Sequence, residues 1–205
     1  NNYFPNKVVL VADATNLQSS LLLLTQLIDL RLPVVLVLNM VDLAAKSGQN
    51  IDLIKLSINL DLPVVLVNAR TGQGIEKLKK VLAGHIPVSK QKIYSFDKEI
   101  LPAVEEVKCH FKLESNYEAY QYLQQVENLT FLDKNDKTFI DELAKQYEFF
   151  PGKYQGAETI IRYQYIQDLL SKVVLKIADT EWKRFSYRID KVLTHKVWGY
   201  LIFFG

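Results

Sequence analysis

Two short polar segments, each placed directly after an apolar run, carry residue types suited to reading a purine base. The apolar residues 34–37 are followed by an Asn-x-x-Asp tetrapeptide, in which Asn39 and Asp42 are the two polar members. A carboxylate at Asp42 can accept hydrogen bonds from the guanine N1 and the exocyclic amine together, and adenine offers no matching pair of donors. The first segment therefore predicts recognition of guanine.

The second polar segment, Asn68-Ala69-Arg70, follows the apolar residues 64–67. We expect the backbone N–H of Ala69 to point at the guanine carbonyl oxygen and the amide of Asn68 to brace the loop. Taken alone, the tetrapeptide also fits an ordinary loop between a strand and a helix, in which the aspartate caps the helix. A second such segment after the next apolar run favours a base site over that alternative.

The two other side chains of the first segment have expected roles at the same base. Asn39 is expected to contact the N7 edge of the purine and to brace the neighbouring loops. Met40 stands where guanine-reading loops usually have lysine, and its thioether chain can still cover a face of the ring. The predicted nucleotide-binding residues are Asn39, Met40, Asp42, Asn68, Ala69 and Arg70.

Three apolar runs separated by helical patterns must position these segments. Residues 8–12, 34–38 and 64–67 are rich in valine and leucine, which is typical of strands buried on both faces of a parallel sheet. Apolar residues at helical spacing follow each run: Leu17, Leu21, Leu24 and Ile28, then Leu53, Leu56 and Leu60, then Ile75, Leu78 and Leu82 up to Gly84. Alternating strands and helices predict a parallel sheet, whose ligands bind at the carboxyl ends of the strands. Asn39 and Ala69 both lie at such ends.

The second half of the sequence has a different pattern. From about residue 93 the strand signal stops, and Pro102 is well placed in the first turn of a helix. The clearest helical stripe comprises Tyr163, Ile166, Leu170, Val173 and Ile177. We predict an all-helical domain over residues 93–194, joined to the α/β part by a boundary between Pro87 and Tyr94.

The last residues resemble the entry of a chain into a membrane. Residues 197–205 carry no charge, and they follow five cations: Lys183, Arg184, Arg188, Lys191 and Lys196. Nine residues are too few for a span, which needs about 20. Trp198 and Tyr200 stand at the expected interface level, so residues 195–205 are predicted to begin a first transmembrane helix. A buried helix or strand at the end of a soluble domain is the alternative.

Composition excludes several classes of function. With 49% apolar and 23% charged residues the chain is globular, and a net charge of +2 gives no reason to expect a nucleic-acid partner. The single cysteine, Cys109, cannot form an internal disulfide and fits a reducing compartment. His110 is its direct neighbour, and adjacent helical residues point about 100° apart, so no metal site is predicted there. No catalytic residue is predicted.

Three stretches of the sequence resemble one family in particular. Residues 11–17 (Val-Ala-Asp-Ala-Thr-Asn-Leu), residues 38–42 and residues 68–75 resemble the cytoplasmic G domain of ferrous iron transport protein B, which also has a methionine at the position of Met40. Residues 190–199 resemble the segment before the first span of that family. The resemblance implies part of a GTPase-like parallel-sheet domain of the P-loop NTPase class over residues 1–88, followed by the all-helical domain and the membrane domain.

The resemblance also implies a function. It implies the cytosolic, guanine-nucleotide-binding and regulatory portion of a GTP-dependent ferrous iron transporter, on the cytoplasmic side of a bacterial inner membrane. Implied ligands are GTP and GDP, with Mg²⁺ in the complete G domain and Fe(II) as the transported substrate; a homo-oligomer is left open. The alternative is a helical interaction module fused to a degenerate α/β domain that binds no nucleotide.

One part of the family pattern is missing from these residues. The Gly-x-x-x-x-Gly-Lys-Ser/Thr loop that cradles phosphates, and the magnesium-contacting segments behind it, do not occur in the 205 residues. We therefore expect residues 1–88 to be the C-terminal part of a G domain. The parent protein is expected to hydrolyse GTP, and this chain alone is expected not to.

Overall fold

The computed structural model describes residues 5–176, which form a small parallel sheet, helices around it and a helical bundle. The five strands are β1 (Val8–Asp13), β2 (Val34–Asn39), β3 (Gln49–Ile51), β4 (Val64–Leu66) and β5 (Val174–Lys176). The eight helices are α1 (Leu17–Asp29), α2 (Val41–Lys46), α3 (Leu53–Leu60), α4 (Ile75–Ala83), α5 (Leu101–Phe111), α6 (Asn116–Gln125), α7 (Lys134–Gln146) and α8 (Pro151–Val173).

The main sheet is parallel and has the order β1-β2-β4. Asp13 lies opposite Asn39, and Leu38 lies opposite Leu66, so the three strands end at the same edge. Helices α1 and α3 pack their leucines on one face, where Leu21, Leu24 and Leu56 are fully buried. These features confirm the predicted α/β fold and place the two polar segments side by side.

Strand β1 differs from its prediction. Strand β2 is buried on both faces, as expected, but in β1 the side chains of Val9 and Val11 are 39% and 61% exposed. Helix α4 covers the corresponding face of β2 and β4, where it packs on Val35 and Val65, and no helix in residues 5–176 packs over Val9 and Val11. The apolar run therefore specified a strand but not the number of its covered faces.

The bundle of α5 to α7 has its own core, which is rich in aromatic residues. Pro102 lies in the first turn of α5, as predicted. Tyr120 is fully buried, and its ring lies 5.6 Å from that of Tyr94 and 6.0 Å from that of Phe149. The first turn of α8 joins the same cluster through Tyr154.

Helix α8 connects the two cores, and its buried face is not the predicted stripe. Ile166 and Val173 are buried as predicted, but Tyr163 is 36% exposed, and Ile177 lies outside the described residues. The residues buried on α8 are Tyr154, Glu158, Arg162, Ile166, Leu169 and Val173. Because two of them are charged, an apolar pattern could not reveal this face. Its last three members belong to the core of the sheet.

The second, two-stranded sheet was not predicted. Strands β3 and β5 pair antiparallel, so the expectation that strands stop near residue 93 was wrong for residues 174–176. Three-residue strands carry too short a pattern to be read from sequence, and their pairing joins residues more than 120 positions apart. Within residues 5–176 no helix combines the length and apolar character that crossing a bilayer requires. The predicted span start at residues 195–205 lies outside the described residues.

Candidate functional site

The first predicted segment forms the turn from β2 into α2. Met40 adopts a left-handed backbone with φ of 61°, and its carbonyl oxygen accepts from the N–H groups of Leu43 at 3.0 Å and Ala44 at 3.1 Å. A positive φ is uncommon for a residue with a long side chain and costs on the order of 1 kcal/mol or more. The turn places Asp42 in the first turn of α2, where its side chain is exposed. Ala44 is fully buried and anchors the helix.

The second predicted segment is a loop whose following backbone N–H groups donate to Asn68. Its Oδ1 accepts from the backbone N–H of Arg70 at 3.1 Å and of Thr71 at 3.2 Å, and its carbonyl oxygen accepts from Gly72 at 2.9 Å. Gly74 has φ of 86°, and a Cβ there would lie 2.1 Å from the carbonyl oxygen of Leu66. The loop therefore returns so close to β4 that only glycine fits at its end.

A single hydrogen bond joins the two loops. The backbone N–H of Ala69 donates to Oδ1 of Asn39 over 3.2 Å. The sequence suggested that this N–H points at the guanine carbonyl oxygen, and here Asn39 accepts it instead. A base could receive this N–H only after the Asn39 side chain turns, so the amide of Asn39 and the base compete for one donor.

The six predicted residues thus form two groups of three at one sheet edge. Pairing of β2 with β4 brings them together, and Met40, Asp42, Ala69 and Arg70 are exposed to solvent, whereas Asn39 and Asn68 are partly buried. Asp13 ends the adjacent strand, and its carboxylate accepts from Thr15 Oγ1 at 2.7 Å and Thr15 N at 2.8 Å. These bonds hold the pKa of Asp13 below its ordinary value, and they use the carboxylate as a helix cap.

A second polar cluster is buried where α1, α6 and α8 meet. Arg162 is fully buried, and it donates from Nη1 to Asp29 at 2.8 Å and from Nε to Glu158 at 2.7 Å. Tyr117 donates its hydroxyl to the same Glu158 oxygen at 2.6 Å. We call Asp29, Glu158, Arg162 and Tyr117 the buried ion cluster. No motif predicted it, and its only local signal is a Glu and an Arg four residues apart on one helix.

The buried ion cluster also fixes the connection between the sheet and the bundle. Asp29 accepts from the backbone N–H of Ile93 at 3.0 Å and of Tyr94 at 3.2 Å. Burial raises the pKa of Asp29, although these bonds and Arg162 oppose the rise. The rings of Tyr94 and Tyr117 lie 5.7 Å and 4.7 Å from the guanidinium carbon, so aromatic faces complete the surroundings of the cation.

A small parallel sheet that ends in two adjoining polar loops, with helices packed around it, defines this chain as a GTPase-like α/β protein of the P-loop NTPase class with an attached helical bundle. A sequence model of the family described as ferrous iron transport protein B matches residues 2–82. Over these residues the chain is similar to the ferrous iron transport protein B family.

Individual relatives and solved structures show the same similarity. The Fe(2+) transporter FeoB of Staphylococcus aureus (strain COL) is 31% identical over 96% of this chain, and that of Leptospira biflexa is 31% identical, also over 96%. The chain spans 31% and 30% of the lengths of these two relatives.

Among solved structures, the cytosolic domain of L. pneumophila FeoB has a TM-score of 0.66 and 25% identity, covering 85% of this chain and 70% of that one. The mGMPPNP-bound NFeoB from S. thermophilus has a TM-score of 0.56 and 26% identity, covering 83% and 68%.

Proposed function

We propose that this chain is the guanine-nucleotide-binding and regulatory portion of a ferrous iron transporter. The observation that carries the proposal is the Asn39–Ala69 hydrogen bond, because it brings the two predicted base-reading loops to one place. Similar chains support it: the relatives are Fe(2+) transporters, and the S. thermophilus structure is bound to mGMPPNP. In this proposal Asp42 accepts from the guanine N1 and exocyclic amine, and Met40 covers a face of the base.

In this proposal a planar base lies between the two loops. Asp42 and Met40 come from one loop, and Arg70 and the N–H of Ala69 come from the other. Exposure of these residues leaves them accessible to a ligand, while buried Ala44 and the close packing of Gly74 hold the loop backbones. Because the loop backbones are held and the Asn39 side chain alone must turn to release the Ala69 N–H, the pair of loops loses little conformational entropy when it binds.

The contribution of this chain is recognition of the base. GTP or GDP is the proposed ligand, with Mg²⁺ at the phosphates in the complete G domain. The phosphate-cradling motif does not occur in the 205 residues, so no residue here is assigned to hydrolysis. Most of the affinity for a nucleotide comes from backbone amides and cations around its phosphates, and we therefore propose weak binding by this chain alone.

The setting of the site is also a proposal. Because the chain spans about a third of its relatives, we propose that a longer polypeptide, here called the full-length protein, carries Fe(II) across a bacterial inner membrane. The described residues would lie on its cytoplasmic side, and residues 195–205 would begin its first span. The domain limits at residues 88 and 93 belong to the same proposal.

Replacing one carboxylate oxygen of Asp42 by an amide nitrogen tests the base site. Asp42→Asn should weaken GDP binding by the full-length protein, because an amide cannot accept both guanine donors. The same variant should gain affinity for xanthosine diphosphate, whose carbonyl replaces the exocyclic amine and can accept from the new amide. Asp168→Asn, an exposed change on α8, is the matched control and should alter neither affinity. Equal calorimetric affinity for GDP in both variants would show that Asp42 does not contact the base. No measurable affinity in the native protein would favour the alternative of a degenerate domain that binds no nucleotide.

A further inference from the structure

We propose that β5 braces the base-reading loop after β2 and transmits its state to the chain that follows Lys176. The inference rests on the proposed function, because it concerns the regulation of the same site. It starts from the pairing of β3 with β5, which joins the segment after α2 to the end of α8.

The covalent path from the base site to β3 is short. Asp42 lies in the first turn of α2, α2 ends at Lys46, and β3 begins at Gln49. Ser47 and Gly48 alone separate α2 from β3, and fully buried Ala44 holds α2 in the core. In this proposal, movement of the Met40 turn displaces α2 and, with it, β3.

The non-covalent path from β3 to β5 is a tightly held ladder. Gln49, Asn50 and Ile51 lie opposite Lys176, Leu175 and Val174 respectively. The next residue, Asp52, donates its backbone N–H to the carbonyl oxygen of Val173 at 2.8 Å.

Buried side chains complete this joint. Ala44 of α2, Ile51 of β3 and Val173 of α8 are 0%, 6% and 0% exposed, and they share one hydrophobic core. The helix that carries Asp42 is therefore packed, through β3, against the residue that precedes β5. Displacing α2 without β5 would expose or separate these side chains, at a cost in free energy.

The middle of α8 is anchored by a buried ion pair, whereas its C-terminal end is less enclosed. Arg162 ties the middle of α8 to Asp29 of α1 through a fully buried ion pair. Leu175 is 54% exposed, and a cavity of about 550 Å³ beside the ladder is lined by Gln49, Val174 and, from the last turns of α8, Leu170 and Ser171. The ladder and the end of α8 therefore border open space, whereas the middle of α8 is buried at Arg162.

Thermodynamic linkage makes the coupling reciprocal. If base binding changes the strength of the β3–β5 pairing, then force or conformational change in the chain after Lys176 changes the affinity for the base by the same factor. A transporter could use this coupling to match the nucleotide state to the state of the segment that continues from β5.

Two substitutions at one exposed position distinguish the effect of losing a ladder N–H from the effect of losing the side chain. Leu175→Pro removes the backbone N–H of the central residue of β5, and the extended backbone of Val174 before it (φ −99°, ψ 109°) is compatible with a following proline. Leu175→Ala removes the same side chain and keeps the N–H. Differences between the two variants therefore report the loss of the backbone N–H, together with the restriction of φ that proline imposes.

The first measurement uses this chain without nucleotide. Hydrogen exchange at the amides of Leu43 and Ala44 should be roughly fivefold faster in Leu175→Pro than in Leu175→Ala, the effect of about one net backbone hydrogen bond. Equal exchange in the two variants would show that β5 does not brace α2, whatever the site binds, and would overturn the inference.

The second measurement uses the full-length protein with saturating GDP. GDP should slow exchange in residues 39–44 and also in residues 174–176, and the second effect should disappear in Leu175→Pro but persist in Leu175→Ala. Protection of residues 39–44 with no change at 174–176 in the native protein would overturn the inference and leave the proposed function standing. No protection at residues 39–44 would overturn both.

Discussion

Two polar clusters connect distant parts of this chain, and they differ in how they are surrounded. At the sheet edge, Asn39 receives one N–H from Ala69, and the charged Asp42 is exposed to water. In the buried ion cluster, Arg162 is fully enclosed and meets two carboxylates. The first cluster is exposed and can bind a ligand, whereas the charged groups of the second are paired with one another.

This difference in burial assigns ligand binding to the sheet-edge cluster and structural stability to the buried ion cluster. A charge at the surface costs little and can exchange water for a ligand, but a buried charge is tolerated only while its partners remain. Nη2 of Arg162 has no protein partner among the described residues, although its other two nitrogens are bonded. The sheet-edge cluster should therefore respond to mutation in ligand binding, and the buried ion cluster should respond in stability.

Removing the buried cation should have the largest effect. Arg162→Met leaves Asp29 and Glu158 buried without their partner, and we expect it to lower the free energy of unfolding by about 3–5 kcal/mol. The matched control is Lys172→Met, which removes a cation with the same four-residue spacing to a carboxylate, Asp168, on the exposed side of α8. Urea unfolding of both variants is the measurement. Similar midpoints would contradict the contrast between the clusters.

Changing the exposed carboxylate should affect binding and not folding. Asp42→Asn in the full-length protein should weaken GDP binding by about 10²-fold, or roughly 3 kcal/mol, because guanine donors lose a charged bidentate acceptor. Its melting temperature should stay that of the native protein. Calorimetry gives the affinity and thermal unfolding gives the stability; a lower melting temperature with unchanged affinity would assign Asp42 to folding instead.

Two glycines in the second loop should respond unequally to the same substitution. Both have positive φ, 77° at Gly72 and 86° at Gly74, so alanine at either position adds backbone strain of roughly 1–2 kcal/mol. An added Cβ meets nothing within 4 Å at Gly72 but lies 2.1 Å from a backbone oxygen at Gly74. Gly74→Ala should therefore destabilise the chain more than Gly72→Ala and also weaken GDP binding. Equal losses of stability in the two variants would mean that the loop backbone rearranges to accommodate a Cβ at both positions.

The smallest expected effect is a change in pH dependence. Burial raises the pKa of Asp29 above 3.8, so the folded chain keeps this proton to a higher pH than the unfolded chain does. The contribution of Asp29 to stability is then complete below pH 3.8 and declines as pH rises to the raised pKa. Asp29→Asn has no proton to lose, so its stability relative to the native chain should improve from about pH 3.5 to 7. Urea midpoints of the native chain and the variant across this range decide, and a constant difference between them would contradict the prediction.

Sequence patterns were most informative where one residue type has one structural meaning. The valine runs gave β2 and β4 correctly, and the leucines of α1 and α3 are buried as their spacing indicated. They were less informative where neighbours decide. Val11 looks no different from Val37 in the sequence, yet it is 61% exposed because the helix on that side packs over β2 and β4.

The amino-acid sequence by itself determined the alternation of strands and helices, the two polar segments at the strand ends and the family to which they point. These depend on local periodicity and on residue types that hydrogen bonding restricts. Only the tertiary structure decided that Asn39 accepts from Ala69, that Arg162 meets Asp29 across 133 positions, and that β5 pairs with β3. Such contacts join residues far apart in the chain. A partner that is selected by packing in three dimensions leaves no periodic signal in the sequence.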